Sequence, residues 1–266
     1  MHCSPISNSN DTYLSSINAT SVREQISKYI ASNSIKTLDF DRTLYIIWAG
    51  INNYASNKAS TVSDTIESLD SCLKELVFIG AKNFVIFNLP PAKLLPYYQN
   101  GTGHENAPVI SSTQEHNTNL SLKYNSAYSS VHTQLNIKLL LFDVASFVSK
   151  VINNSAYYNF DNHTNTSYWT VYENGTASHS NSSLNLTNTI FYDPFHFTSA
   201  MHKLIAQELY TFLGGTTTST STSRATMTHF YSYYFLVFAL FFVVLNQYEV
   251  TNRKFEFSSC CFNSFR

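Results

Sequence analysis

Three short apolar runs stand out along the chain, with helix-like segments between and after them. They are TLYIIWAG at 43–50, NFVIFNLPP at 83–91 and IKLLLFDV at 137–144. A continuous apolar run of this length, bounded by Gly or Pro, is typical of a strand that is buried on both faces. Such strands occur in parallel sheets covered by helices. The pattern therefore predicts an α/β fold, a three-layer sandwich with a parallel sheet.

The remaining segments divide into helical patterns and one long loop. Ser63 is a possible helix cap and Gly80 a helix end, and apolar residues recur at helical spacing between them. Residues 157 to 192 have no periodicity, which predicts a long polar loop. Helices are predicted at 63–79, at about 112–136, from 145 onward and at 199–213.

The composition changes twice towards the C-terminus. Residues 214–228 form a Ser/Thr-rich linker, and the continuous apolar stretch Phe230 to Leu245 follows it. Extended to 229–248, a helix here would be about 30 Å long, enough to cross the hydrocarbon core of a bilayer. The pattern predicts a separate transmembrane or lipid-anchor segment, with both alternatives open. A domain at 1–213 would precede the linker, and a polar tail at 249–266 would follow the anchor.

Charge and sequons narrow the functional class. The chain has 16 Lys and Arg against 17 Asp and Glu, which gives no support to nucleic-acid binding. Only 12% of the residues are charged, while the N-x-[S/T] triplet occurs ten times. This abundance favours an extracellular or cell-surface glycoprotein, although an Asn/Ser/Thr-rich chain also produces such triplets by chance. The first residues, MHCSPISNSND, have neither the basic nor the apolar region of a signal peptide. The triplets begin at Asn10, Asn18, Asn100, Asn119, Asn153, Asn162, Asn165, Asn174, Asn181 and Asn185.

The four cysteines, Cys3, Cys72, Cys260 and Cys261, show no metal-ligand spacing and no disulfide framework. Cys72 lies on the apolar side of a predicted helix, which indicates a buried thiol.

The stretch YDPFHFTSAMHKLIAQEL at 192–209 contains the most suggestive chemistry. Asp193 precedes His196 by three residues, just before a predicted helix. A carboxylate in that position can accept a hydrogen bond from Nδ1 of the imidazole and leave Nε2 to act as a base. A cap neighbour at an ordinary helix start is the alternative for the same residues.

Together with three further segments, this stretch resembles the SGNH, or GDSL-type, ester hydrolases. IIWAGINNY at 46–54 is similar to the family block with the G-x-N-D pattern, and FVIFNLPP at 84–91 is similar to the strand that follows it. SVREQISKYI at 21–30 resembles the helix before that block. The resemblance covers residues 20 to 213 and looks closest to the secreted fungal branch grouped with acetylesterases.

The resemblance implies a role for each matching residue. His196 would be the general base, Asp193 would orient it, and the side-chain amide of Asn52 would contribute to the oxyanion hole. Gly50 and Asn53 would support that turn. The family pattern has Asp where this chain has Asn53, so a supporting carboxylate is lost. The resemblance implies no cofactor and no metal.

The nucleophile of the family is not recognisable in this chain. No Gly-Asp-Ser occurs, and the oxyanion-hole glycine of the second family block is also absent. Ser4, Ser7 and Ser9 do not lie in a strand–Gly–Asp–Ser setting. We therefore expect the chain to be the C-terminal two-thirds of such a hydrolase, truncated at its start and without the first strand of the sheet.

Two functions follow from the resemblance. One is hydrolysis of a carboxylic or acetyl ester, with an acetylated carbohydrate or a lipid ester as substrate, by a Ser-His-Asp mechanism whose serine is unknown. The other is a non-catalytic glycoprotein with the same fold, which has a binding role or none.

Overall fold

A computed structural model of the protein describes residues 21–55, 61–99, 101–124, 136–161, 164–171, 177–179, 184–215, 242–246 and 256–258. The chain divides into two compact units, and each is described by itself. The first unit comprises residues 1–89, 112–142 and 239–266, and the second comprises residues 90–111 and 143–238.

Helices and strands alternate through the first half of the chain. The helices are α1 Val22–Ala31, α2 Ile51–Ala55, α3 Val62–Phe78, α4 Pro108–Leu122, α5 Val144–Asn153 and α6 Ser199–Phe212. The strands are β1 Thr43–Ile47, β2 Asn83–Phe87, β3 Lys138–Phe142, β4 Trp169–Val171, β5 Ala177–His179, β6 Phe242–Asn246 and β7 Glu256–Ser258.

The three apolar runs of the sequence form the parallel part of one sheet. Strand β1 pairs in parallel with β2, and β2 pairs in parallel with β3. The register sets Tyr45 beside Phe84 and Ile47 beside Ile86. The α/β class and the three predicted strands are therefore confirmed.

The other edge of β1 corrects one expectation, while the absence of the family's first strand stays a prediction. We expected a helix over residues 230 to 247. Instead, Phe242–Asn246 is strand β6, which pairs antiparallel with β1, and β7 pairs antiparallel with β6. The physical reason is that a buried strand has backbone N–H and C=O groups on both edges, and leaving them unpaired is costly. The β-branched pair Val243 and Val244 favours an extended backbone at this position.

The rest of the predicted anchor, residues 229–241 and 247–248, lies outside the described residues, as do residues 216–228 of the predicted linker. Within the described part of the chain, none of the helices combines the length and the apolar character needed to cross a bilayer.

One face of the sheet carries the core of the first unit. The side chains of Tyr45, Ile47, Phe84 and Ile86 are almost fully buried there, in one cluster with residues of α1, α3 and α4. The Tyr45 hydroxyl lies 2.9 Å from that of Tyr29 in α1. Burial, together with this hydrogen bond, raises the pKa of Tyr45 well above its usual range, so this polar contact inside the core stays neutral.

Helix α3 is anchored at both ends by local interactions. Its cap is Thr61 rather than Ser63, so the helix begins earlier than predicted. The Thr61 side chain accepts from the Asp64 amide at 3.1 Å, and the Asp64 carboxylate accepts from the Thr61 amide at 3.2 Å. Gly80 follows the helix at φ +105°, as a stop residue should. Cys72 is a buried thiol in this helix, as predicted, and burial raises its pKa to about 12.

Helices α5 and α6 contact each other in the second unit. Helix α4 ends at Leu122, short of the predicted limit of 136, and residues 125–135 lie outside the described residues. The region predicted as a long loop, 157–192, includes the two-stranded sheet of β4 and β5.

Candidate active site

The D-x-x-H segment is a closed loop that leads into α6. Phe191 and Phe197 form an antiparallel bridge at its base, and the Tyr192 amide donates to the His196 carbonyl at 2.8 Å. After the loop, Thr198 caps α6 by accepting from the Met201 amide at 3.3 Å. The loop is thus fixed by its own backbone and by the start of the helix.

Inside this loop, Asp193 and His196 form a hydrogen-bonded pair. Nδ1 of His196 lies 2.8 Å from each of the two carboxylate oxygens of Asp193. Oδ1 of Asp193 also accepts from the backbone amides of Phe195 and His196, both at 2.9 Å. The carboxylate therefore holds the imidazole by its Nδ1 edge, which leaves Nε2 as the ring nitrogen for proton transfer.

The Asp193 carboxyl is charged despite its partial burial. Burial alone would raise its pKa, but the hydrogen bond and charge of His196 and the two backbone amides together lower it below the usual value. The Asp193 side chain is 13% exposed and that of His196 is 20% exposed. A histidine that acts as a general base needs a partly accessible imidazole and a charged carboxylate that orients it, and this pair provides both.

Aromatic rings support the outer side of the same loop. The Tyr97 ring stacks on His104, with centroids 4.1 Å apart, and contacts Phe195 at 4.4 Å. The Tyr97 amide donates to the Pro194 carbonyl at 3.2 Å. Phe195 is 40% exposed, beside His196. These contacts connect residues near 97 to the D-x-x-H loop within the second unit.

The turn after β1 carries the other predicted site residues. Gly50 has a φ of +134°, a backbone angle that only glycine adopts without strain. The short helix α2 starts directly after it, and the Asn53 amide donates to the Gly50 carbonyl at 3.0 Å. Asn53 is 4% exposed, whereas Asn52 is partly exposed. Because this turn directly follows β1, Asn52 lies at the carboxyl end of a parallel strand, where ligands bind in open α/β sheets.

Helix α4 packs beneath this turn through a buried histidine. Nδ1 of His116 lies 2.7 Å from the Tyr54 hydroxyl, and His116 is 0% exposed. A methyl group added to Gly50 would lie 3.0 Å from Cε1 of His116 and 3.4 Å from Cδ1 of Leu89. Glycine is thus required here both by the backbone angle and by the close approach of the imidazole.

The next residue of α4 holds the end of β2. The Asn117 side chain accepts from the Leu89 amide and donates to the Leu89 carbonyl, both at 2.7 Å. His116 and Asn117 therefore secure the turns after two neighbouring strands from a single helix.

A family model described as GDSL-like Lipase/Acylhydrolase matches residues 6–209, which is more than half of the chain. The chain belongs to the GDSL-like lipase/acylhydrolase family. No curated protein matches it. The general activity of GDSL-like hydrolases is the hydrolysis of esters, and the parallel sheet with its helices agrees with their α/β fold. The placement in a fungal acetylesterase-like branch and the truncated start stay predictions.

The structure brings some of the predicted GDSL site residues together. Asp193 and His196 are in direct contact, and Gly50, Asn52 and Asn53 share one turn. The two groups belong to different units, and the shared role of Asn52 and His196 in one active site stays a prediction. The three N-terminal serines considered as nucleophiles lie outside the described residues.

Sequence reasoning missed the contribution of α4 to the site. His116 lies on the buried side of the helix with Thr113 and Leu120, which are 1% and 0% exposed. A histidine within such a helical stripe was the available signal. It could not identify Tyr54 as the partner, because the two residues are 62 positions apart.

Proposed function

We propose that this GDSL-family chain takes part in ester hydrolysis by a Ser-His-Asp mechanism, with His196 as general base and Asp193 as its orienting carboxylate. The contact between Nδ1 of His196 and the Asp193 carboxylate carries this proposal. In the same proposal, Asn52 donates its side-chain amide to the oxyanion, and Gly50 and Asn53 hold its turn.

The chemistry follows from the roles of the two ring nitrogens. Nε2 of His196 removes the proton of a serine hydroxyl while that oxygen attacks the ester carbonyl, and Asp193 stabilises the resulting imidazolium through Nδ1. The proton then passes to the leaving alcohol as the tetrahedral intermediate collapses. Water attacks the acyl-enzyme in the same way and releases the acid. A donor such as Asn52 meets the negative charge that develops on the carbonyl oxygen, an interaction worth about 3 kcal/mol of barrier.

The proposal assigns the serine to a position outside the 266 residues, because the sequence contains no Gly-Asp-Ser. Without the serine of the family motif, the Asp193–His196 pair would activate only water, and that reaction is slow without preorganised donors.

We expect the purified 266-residue chain to hydrolyse p-nitrophenyl acetate barely above the rate in buffer. We also expect a fluorophosphonate probe, which reacts with activated serines, to leave the chain unlabelled. Rapid turnover together with labelling of Ser4, Ser7 or Ser9, located by peptide mass mapping, would place the nucleophile in the N-terminal segment and overturn its assignment outside the chain.

A non-catalytic, secreted glycoprotein is the second candidate, favoured by the ten sequons. Three of the sequon asparagines, Asn153, Asn165 and Asn185, are exposed and therefore accessible to an oligosaccharyltransferase. We expect the protein from a eukaryotic secretory host to lose mass on treatment with peptide N-glycosidase F. An unchanged mass would remove the support for a secretory glycoprotein, whether catalytic or not.

A further inference from the structure

The buried His116 has a polar atom that the fold itself does not explain. Within the residues that the structure describes, its Nε2 has no hydrogen-bond partner, while Nδ1 is bonded to Tyr54. A buried nitrogen without a partner is costly, so a Phe of similar shape would pack at this position without that cost. The presence of a histidine despite this cost indicates that the hydrogen bond between its Nδ1 and Tyr54 has a role other than packing.

The hydrogen bond between His116 and Tyr54 involves the turn that carries Asn52, the proposed oxyanion donor. Tyr54 follows Asn52 by two residues in α2, and Cε1 of the same imidazole lies against Gly50 at the start of the turn. The ring of His116 is therefore in contact with both ends of the Gly50–Tyr54 turn. Asn52 lies between these two contacts.

We propose that His116 is a positioning residue that holds the Gly50–Tyr54 turn, and with it Asn52, in the conformation required at the active site. The oxyanion role of Asn52 rests on the proposed function, whereas the support of the turn by His116 does not.

The support depends on a neutral imidazole. Burial lowers the pKa of His116 to about 4. Tyr54 is the titratable group that faces it from the turn, and burial raises the pKa of Tyr54 to about 12, although a hydrogen bond with Thr65 opposes this. Glu115, beside His116 on α4, also raises the pKa of Tyr54. The side chain that approaches Gly50 from the β2 side is the apolar Leu89. Both partners of the hydrogen bond are thus neutral at pH 7.

The pH dependence has a definite sign. The folded-state pKa lies below that of an exposed histidine, about 6.5, so the opened turn takes up a proton more readily than the closed turn. The support is fully present above about pH 6.5 and is lost as the pH falls towards 4. With one proton involved, the stability of the closed turn falls by up to tenfold per pH unit across this window.

Amide hydrogen exchange of the full chain, followed by NMR and corrected for intrinsic rates, tests the proposal. The Asn53 amide, which bonds to the Gly50 carbonyl, reports on the turn, and the Leu69 amide in α3 reports on the fold as a whole. In the wild type we expect the protection of Asn53 to fall by up to tenfold per pH unit between about 6.5 and 4.

Two variants separate positioning from packing. His116→Phe keeps a ring against Gly50 but loses the hydrogen bond, so it should lower the protection of Asn53 at pH 7 by roughly tenfold and that of Leu69 by less than about threefold. His116→Asn offers a polar atom near the place of Nδ1 and cannot titrate. It should keep the protection of Asn53 at pH 7 and abolish its decline towards pH 4. His104→Asn is the matched control. It should change neither the protection of Asn53 at pH 7 nor the decline of that protection towards pH 4.

Equal loss of protection at Asn53 and Leu69 in His116→Phe would show a purely structural histidine and overturn the proposal. Unchanged protection of Asn53 in that variant would also overturn it. Hydrolysis is not measured in this experiment, so a chain that proves to have no esterase function would leave the result interpretable.

Discussion

Replacing His196 with Ala is expected to lower kcat/KM for p-nitrophenyl acetate by at least about four orders of magnitude. This expectation applies to a form of the protein that carries a Gly-Asp-Ser segment ahead of residue 1. The loss follows from removing the only base that can take the serine proton in the proposed mechanism. Asp193→Asn should lower kcat by about 10⁴-fold, because an amide can donate to Nδ1 and stabilise the tautomer whose Nε2 already carries a proton. KM should change much less in both variants, since neither residue is proposed to bind the ground-state substrate.

Asp161→Asn is the matched control, because it makes the same chemical change elsewhere in the second unit. It should retain activity within about threefold. If His196→Ala or Asp193→Asn also retained activity within about tenfold, the hydrogen-bonded pair would be a helix-entry interaction and the proposed mechanism would fail. Comparing an acetylated sugar with a short-chain lipid ester in the active form would separate the two substrate classes that the family leaves open.

Gly50→Ala is expected to lower the free energy of unfolding by about 2–6 kcal/mol, measured by urea denaturation. Two costs combine in this change. A non-glycine residue at φ +134° is strained by about 1–3 kcal/mol. The new methyl group would also lie 3.0 Å from Cε1 of His116, and overpacking of this kind typically costs about 1–3 kcal/mol.

Gly103→Ala isolates the first of these costs. Gly103 also has a positive φ, +81°, but a methyl group there would meet no atom within 4 Å among the described residues. We expect a loss of about 1 kcal/mol for this variant. In a His116→Ala background the cost of Gly50→Ala should fall by about 1 kcal/mol or more, because the contacting ring is gone. Equal losses for Gly50→Ala and Gly103→Ala would contradict the close packing of His116 against the turn.

Features that depend on neighbouring residues were predictable from the sequence. The apolar runs identified β1, β2 and β3. Strands β1 and β2 are buried almost throughout, so they need no alternation, whereas β3 is partly exposed and Leu140 is 43% exposed. The Asp193–His196 contact was also predictable, since three residues in one loop suffice to bring a carboxylate to Nδ1. The cap of α3 was predicted two residues late, at Ser63, because Thr61 and Ser63 have similar capping propensity and only the backbone hydrogen bonds distinguish them.

Features that depend on distant residues were decided by the tertiary structure. An apolar run such as Phe230 to Leu245 is compatible with a helix or a strand, and its end is a strand because β1 offers an unpaired edge. The His116–Tyr54 and Asn117–Leu89 contacts span 62 and 28 residues. Local periodicity places His116 on a buried face, but it cannot specify which turn that face covers. The sequence alone therefore determined the strands and the Asp193–His196 contact, whereas packing of α4 decided which side chains contact the Gly50–Tyr54 turn.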